Sequence, residues 1–149
     1  MKTGINFYDG ARLPSDRCGI EKLQAELSKM PQYEPKTTHY FHGGMYCREV
    51  WRDAGVLVVG KVHKQEHFYL IVSGRVMIER DEYGPGSLIL SNPGTKRAVL
   101  SLEPTTCMTF HRTDARTVKA AEAELVEQDD ATNYAAGNML AQPLREVIK

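Results

Sequence analysis

Short apolar runs alternate with turn-forming residues through the middle of the chain, and this pattern limits the fold more than any other feature. Seven runs have the length and the β-branched or aromatic content of strands. They span residues 45–51, 56–63, 67–73, 75–80, 87–91, 96–102 and 106–111. Gly and Pro residues mark the turns between them, as in the segments 84–86 and 92–94. Strands at a spacing of about ten residues predict an all-β sandwich or barrel.

Two segments beside these runs have helical patterns. In PSDRCGIEKLQAELSKMP, Ser15 or Asp16 can cap a helix that carries apolar residues at helical spacing. The segment TVKAAEAELVEQDD is rich in helix-forming residues and predicts a short amphipathic helix. The predicted organisation is an N-terminal arm and helix over 1–39, a barrel over 40–112, and a C-terminal helix and arm over 113–149. We expect the C-terminal arm to pack on the barrel or on a partner subunit.

Composition restricts the partners and the location of the protein. The 149 residues suffice for one domain, and 19 basic residues balance 19 acidic ones. We therefore expect no extended nucleic acid and no membrane as a partner. Three cysteines without CxxC spacing argue against a disulfide framework or a zinc knuckle. Together with the lack of an apolar N-terminal run, they predict a cytoplasmic protein.

Two spaced motifs resemble those of the cupin superfamily, the RmlC-like β-barrels. In the first, Gly55 is followed by Lys61, His63, His67 and Gly74, at the intervals of the first cupin motif. The second repeats the intervals of the second cupin motif with Gly86, Asn92, Gly94, Arg97 and Ser101. The resemblance implies a mainly β chain with a single cupin-type β-barrel or jelly roll, here with an N-terminal helix and a short C-terminal helix. Because cupins commonly pair, it also implies a homo-oligomer.

A narrower resemblance concerns a group of cupin-like proteins encoded by tailed bacteriophages. It is carried by CREVWRDAGVLVVGKVHKQEHFYLIVSGRV, NPGTKRAVLSLE and TFHRTDARTVKAAEAELVE. Within them stand Gly-Lys-x-His-Lys at 60–64, Lys-Arg-Ala at 96–98, and His111 with Thr113. The resemblance implies a bacteriophage origin and a location in the bacterial host cytoplasm, and it assigns no reaction.

The residues at the cupin metal positions depart from the usual set. Lys61 replaces the first histidine, His67 replaces the glutamate, and Arg97 replaces the last histidine. Lysine and arginine are cations that only donate hydrogen bonds, so they would repel a divalent ion. We therefore expect no metal cofactor. The alternative is one divalent metal held by His63, His67 and His111, which requires that the last strand points His111 inward.

Strand alternation places Lys61 and His63 on one face, which in a cupin lines the barrel mouth. The candidate catalytic residues are His63, His67, Lys61 and His111. The candidate ligand-binding residues are Lys61, Arg97, Arg48 and Tyr46. Buried cations need compensation, and few acidic residues lie in the predicted strands. The cluster therefore predicts a small anionic ligand, with phosphate as the best match to arginine and lysine.

Three functions follow from these residues. The first is binding of a small phosphorylated or nucleotide ligand, with metal-free acid–base cleavage of a phosphodiester by the histidines as a further step. A nucleotide signal of host defence would suit a phage protein. The second is a metal-dependent oxygenase or isomerase that uses His63, His67 and His111. The third is a non-catalytic phage accessory or structural protein, in which Lys96 and Arg97 form a solvated turn pair.

Overall fold

Strand pairing in the computed structural model, which describes residues 12–141, produces two antiparallel sheets. The first sheet has the order β1-β2-β9-β4-β7 and the second has the order β3-β8-β5-β6. The strands are β1 (Lys36–His42), β2 (Met45–Arg52), β3 (Leu57–Val59), β4 (His67–Ser73), β5 (Val76–Ile78), β6 (Asp81–Tyr83), β7 (Leu88–Ser91), β8 (Ala98–Ser101) and β9 (Thr105–Arg112). The helices are α1 (Arg17–Leu27) and α2 (Val118–Leu125). The predicted fold class, mainly β with an N-terminal helix and a short C-terminal helix, is confirmed.

The core between the two sheets comes from alternate residues of each strand. On β9 the burial alternates residue by residue, with Cys107, Thr109 and His111 buried. One cluster joins Cys107 and Tyr69 of the larger sheet to Val99 of the smaller sheet. Because neighbouring strands are in register, their inward side chains form layers stacked along the interior.

Helix α1 covers the outside of the smaller sheet. Asp16 caps it by accepting a hydrogen bond from the Gly19 N–H at 3.0 Å, as one of the two predicted caps. Its apolar side packs Leu27 against Leu57, Ala98 and other residues of a second buried cluster. The predicted helix therefore forms, and it lies on the outside of the smaller sheet.

Helix α2 and the segment after it lie across one end of the sheets. Ala121 and Leu125 pack against Tyr46 of β2. Beyond the helix, the Lys64 N–H donates to the Leu125 carbonyl at 2.7 Å and the Glu127 N–H donates to the Val62 carbonyl at 2.8 Å. These bonds hold the segment against residues 62–64, so the helix closes the end of the barrel where the histidines lie.

The sequence analysis did not predict β1 and β6, and the runs 56–63 and 75–80 form shorter strands than expected. β1 was read as part of the N-terminal region, and it begins before residue 40 because KTTHYFH pairs along its whole length with β2. β6 is a three-residue strand next to the 84–86 turn. The run 56–63 contributes only β3, and His63 forms an isolated bridge with Val126 instead. The predicted arm residues 1–11 and 142–149 lie outside the described residues.

No helix within residues 12–141 is long and apolar enough to cross a membrane.

The outer face of the larger sheet carries several exposed apolar side chains. Phe68 on β4 is 49% exposed, and Leu88 and Leu90 on β7 are 55% and 66% exposed. Contiguous exposed apolar side chains on a protein surface often mark an interface.

Homo-oligomer formation remains a prediction, and this outer face is the surface that we expect a second copy to cover. Phe68 and Leu90 are direct partners across β4 and β7. Replacing both by Glu should place charges in the interface and convert the oligomer to monomers, as measured by light scattering. Lys22→Glu on the exposed side of α1 is the control and should leave the mass unchanged. A wild-type protein that is already monomeric would contradict the prediction.

Candidate functional site

Three histidines from three parts of the chain meet at the end of the barrel beneath α2. His67 begins β4, His111 lies near the end of β9, and His63 lies between β3 and β4. Their ligand-capable nitrogens all lie within 4.8 Å of one another. The His63 and His67 ring centroids are 4.1 Å apart, and those of His67 and His111 are 4.6 Å apart. The last strand therefore points His111 inward, and its side chain is 3% exposed.

Pairing of the strands explains how the three side chains converge. Tyr69 lies opposite Thr109 in the antiparallel pair of β4 and β9. Two residues further along each strand, His67 and His111 therefore lie side by side on the same face of the sheet. His63 is fixed separately, because its carbonyl accepts from the Gly94 N–H at 2.9 Å and its backbone bridges to Val126. The second half of the first cupin-like motif thus delivers two histidines, and β9 delivers the third.

All three imidazoles are held in the neutral form. Burial, together with the neighbouring His67 and Arg48, lowers the pKa of His63 to about 2. Burial also lowers the pKa of His67 to about 4 and that of His111 to about 3. At neutral pH each ring therefore has a nitrogen lone pair available. The His63 Nδ1 atom is buried and has no hydrogen-bond partner among the described residues.

The positive charges beside the histidines are partly neutralised by Glu122 of α2. This buried carboxylate lies 3.5 Å from the Arg48 guanidinium and 3.9 Å from the Lys61 ammonium. Its other oxygen accepts a hydrogen bond from the Gly137 N–H at 2.6 Å. The sequence indicates few acidic residues in the strands, and this compensating carboxylate comes instead from a helix.

Arg97 and Lys96 have different environments. The Arg97 guanidinium donates to the Ser91 hydroxyl and lines the cavity, with no carboxylate within 4.0 Å among residues 12–141. Lys96 is 8% exposed and forms a 3.0 Å ion pair with Asp129, which Gln24 also contacts. The alternative of a solvated Lys96–Arg97 turn pair is therefore wrong for Lys96. Its ion pair ties the C-terminal segment to the barrel.

Tyr46 was predicted as a ligand-binding residue, and its position does not suit that role. Its side chain is 1% exposed and lies outside the residues that line the cavity. Its hydroxyl lies 2.7 Å from the His39 Nδ1 atom, and its ring stacks on Phe41 at a centroid distance of 4.6 Å. The ring also lies 5.8 Å from that of His111. Tyr46 therefore packs beside the His111 ring, outside the cavity, and helps to hold the orientation of that ring.

A cavity of about 140 Å³ opens in front of the histidines and extends into the barrel. Three of the charged side chains singled out from the sequence and two of the histidines line it. They are Arg48, Lys61, Arg97, His63 and His67, together with Glu122, which the sequence did not indicate. Tyr134 and Asn138 from the C-terminal segment also line the cavity. The described part of the C-terminal segment, which ends at residue 141, therefore borders the cavity.

Arg52 also lines the cavity, and the sequence analysis did not single it out. It is 9% exposed, near the end of β2. The sequence did contain a signal for this position. Residues two apart in a β-strand share a face, so Arg52 lies on the same face as Tyr46, Arg48 and Val50. Arg52 is therefore a third arginine on the inner face.

No protein-family model matches the sequence, and no curated protein matches it. Solved structures do show a similar arrangement of the chain. One is described as a cupin superfamily protein from Desulfitobacterium hafniense, at 12% identity and a TM-score of 0.47, with 60% of this chain and 87% of that chain covered. Another is KdgF from Halomonas sp., at 13% identity and a TM-score of 0.49, with 56% of this chain and 84% of that chain covered.

A further similarity is to a chain in the structure of Rhodobacter sphaeroides SigE in complex with the anti-sigma ChrR. The identity is 17% and the TM-score is 0.48. The match covers 53% of this chain and 45% of that one. This chain therefore spans less than half of the length of that protein.

Proposed function

We propose that this protein binds one divalent transition-metal ion through His63, His67 and His111 and uses it to act on a small anionic ligand. The observation that carries the proposal is the convergence of three ligand-capable nitrogens within 4.8 Å. Two nitrogens bound to one Zn²⁺ ion at the usual distance of about 2.0–2.1 Å lie at most ~4.2 Å apart, so small shifts of these side chains would let all three reach one ion. Three protein ligands with an open position are typical of catalytic rather than structural sites.

The chemistry of the residues fits a metal. Imidazole suits zinc, copper, iron and nickel, and only a neutral ring can coordinate. The lowered pKa values mean that an ion would displace almost no protons from His63, His67 and His111 at neutral pH. The unpartnered, buried His63 Nδ1 atom is also a polar atom for which a metal would supply a partner. When bound, the ion would act as a Lewis acid that polarises an oxygen of the ligand.

The charges around the cavity favour an anion as the ligand. Glu122 compensates Arg48 and Lys61, whereas no carboxylate within 4.0 Å compensates Arg97 in the described part of the chain. A divalent ion would add two positive charges without adding a negative one. An anion would therefore be attracted to the open side of the site, where Arg97 can donate hydrogen bonds to it.

Metal-free cleavage of a nucleotide remains a second hypothesis, and two features weigh against it. A histidine that acts as a general acid needs a proton near neutral pH, and the pKa values of about 2 to 4 leave all three rings neutral. The cavity of about 140 Å³ is also small beside the ~300–1,000 Å³ usual for drug-sized ligands. The bacteriophage origin, the role in host defence and the location in the host cytoplasm likewise remain predictions.

The proposal predicts that transition metals stabilise the fold. Zn²⁺, Ni²⁺, Mn²⁺ or Fe²⁺ at about 100 times its dissociation constant should raise the melting temperature of chelator-treated protein by roughly 5–10 °C. Mg²⁺, which prefers oxygen ligands, should not. His111→Gln should abolish the shift, whereas His42→Gln on the exposed edge strand should retain it. An equal shift in both variants would contradict the assignment of the ligands.

A further inference from the structure

Arg52 is a buried cation that lacks a compensating anion. Its side chain is 9% exposed, and within residues 12–141 no carboxylate lies within 4.0 Å of its guanidinium. Its contacts are the Tyr69 hydroxyl at 3.4 Å and the Cys107 sulfur at 4.0 Å, both of them long and neutral. Its Nε atom is buried and has no hydrogen-bond partner among residues 12–141. Burying a charge in this way is costly unless something pairs with it.

Arg52 lines the same cavity as His63 and His67. Both Arg52 and Tyr69 line that cavity, with Val50, Val58 and Val99 forming apolar walls. On β9, His111 lies two residues from Thr109 and four from Cys107, which Arg52 contacts. At about 3.4 Å per residue, the histidine end and the arginine end of the interior are roughly 7–14 Å apart along the strand. A small molecule can therefore lie between the two ends.

We propose that Arg52, with Tyr69 beside it, forms a binding site for the carboxylate of a small organic acid whose opposite end faces the histidines. This inference deepens the proposed function, on which the role of the acid as a substrate rests. A carboxylate accepts hydrogen bonds from a guanidinium in a two-pronged arrangement, and the unpartnered Nε atom belongs to that fork. The ligand would supply the negative charge that Arg52 lacks.

Charge and size select a monocarboxylic acid over a phosphate. The inner end of the cavity offers one formal positive charge between apolar walls, which one carboxylate balances. A phosphate monoester carries about −1.5 to −2 at pH 7 and would leave part of its charge unpaired. The cavity of about 140 Å³ is comparable to the ~150 Å³ that holds benzene in another protein. We therefore expect an acid with about six to nine non-hydrogen atoms.

The Tyr69 hydroxyl supplies a second polar group beside the guanidinium. Its oxygen accepts the hydrogen bond from Arg52 at 3.4 Å, and Tyr69 lines the same cavity. A phenol can donate as well as accept a hydrogen bond, so this hydroxyl can donate to an oxygen of the ligand.

The test is calorimetric titration of chelator-treated protein with butyrate and benzoate, against butyramide, benzamide and inorganic phosphate. The acids should bind, and the amides, of nearly the same shape, should bind at least 10-fold more weakly. Arg52→Met should weaken binding of the acids at least 10-fold while it leaves zinc binding unchanged. Tyr69→Phe should weaken binding about 3-fold or more. Arg75→Met removes an exposed arginine that pairs with Glu82 and is the control that should bind the acids normally.

The outcomes separate this inference from the metal site. Equal binding of acids and amides, stronger binding of phosphate, or no binding of either acid would overturn the carboxylate site even if zinc binds. Zinc that fails to bind while the acids depend on Arg52 would overturn only the proposed function. The melting temperature of Arg52→Met should equal or exceed that of the wild type, because removing an unpaired buried charge is not costly. A large decrease would show a structural role for Arg52 and overturn the inference.

Discussion

Between pH 7 and pH 5 the metal-free protein should lose about 4 kcal/mol of its free energy of unfolding. The cause is the cluster of His63, His67 and His111, whose pKa values in the fold are about 2, 4 and 3. In the unfolded chain each ring titrates near 6.5. Below that pH the unfolded state takes up protons that the folded state does not, so acid favours unfolding.

The direction of the stability change and the pH range over which it occurs follow from the lowered pKa values of the three histidines. Stability is fully present above pH 6.5 and decreases as the pH falls toward the folded-state pKa values, by up to about 1.4 kcal/mol per pH unit for each histidine. Three fully buried rings would give roughly 6 kcal/mol over this interval, and the partial exposure of His63 and His67 reduces the expectation. Carboxyl groups titrate mainly below the window.

Urea unfolding at pH 7, 6 and 5 in the presence of a chelator measures the effect. His67→Gln removes one of the three groups and should reduce the loss by about a third. His42→Gln, which alters an exposed histidine on β1, is the matched control and should leave the profile unchanged. A flat dependence between pH 7 and pH 5 would contradict the arrangement of the three buried neutral rings.

Glu122→Gln should destabilise the protein by about 3 kcal/mol at neutral pH. Glu122 is 7% exposed and faces Arg48 and Lys61, whose side chains are 12% and 21% exposed. Removing the carboxylate leaves two largely buried cations without their counter-charge beside the histidines. The cost of an unpaired buried charge exceeds the cost of losing a pair on the surface.

Glu82→Gln gives the comparison for this change. Glu82 pairs with Arg75, and both side chains are about half exposed, at 54% and 45%. Its replacement should change the free energy of unfolding by at most about 0.5 kcal/mol. Chemical unfolding of both variants measures the difference. A loss below 1 kcal/mol for Glu122→Gln would show that the cations are well solvated and would contradict the role given to the helix.

The fold class follows from sequence patterns because strands, turns and helix caps are local features. The Asp16 cap and most of the seven strand-like runs involve residues close in the chain, and they appear in the structure. β1 was missed because its polar and aromatic residues pair with β2 across two glycines, Gly43 and Gly44, without a strong apolar pattern. β6 was missed because it has only three residues.

The site depends more on tertiary contacts, so the sequence gives only part of it. Alternation along one strand placed Lys61 and His63 together, and the motif spacing added His67. Whether His111 points inward depends on the register of β9 against β4, which no short motif specifies. Glu122 belongs to a segment that the sequence predicts only as a short amphipathic helix, and its burial depends on how α2 folds over the barrel.

The expected absence of a metal arose from Lys61 and Arg97 at positions where cupins usually have histidines. A lysine or arginine repels a metal ion most strongly when no other group is paired with it. In the structure Glu122 lies 3.9 Å from the Lys61 ammonium, and Arg97 donates to Ser91. The third nitrogen comes instead from β9. A replaced ligand position therefore does not by itself exclude a metal, because another strand can supply the missing histidine.

The metal content of the purified protein after equilibration with Zn²⁺ and dialysis tests the central claim most directly. Elemental analysis should find about one zinc ion per chain in the wild type and in His42→Gln, since His63, His67 and His111 form one site. His63→Ala should reduce the content to well below one tenth of an ion per chain. A wild-type protein that retains no metal, or a His63→Ala variant that retains as much as the wild type, would contradict the proposal.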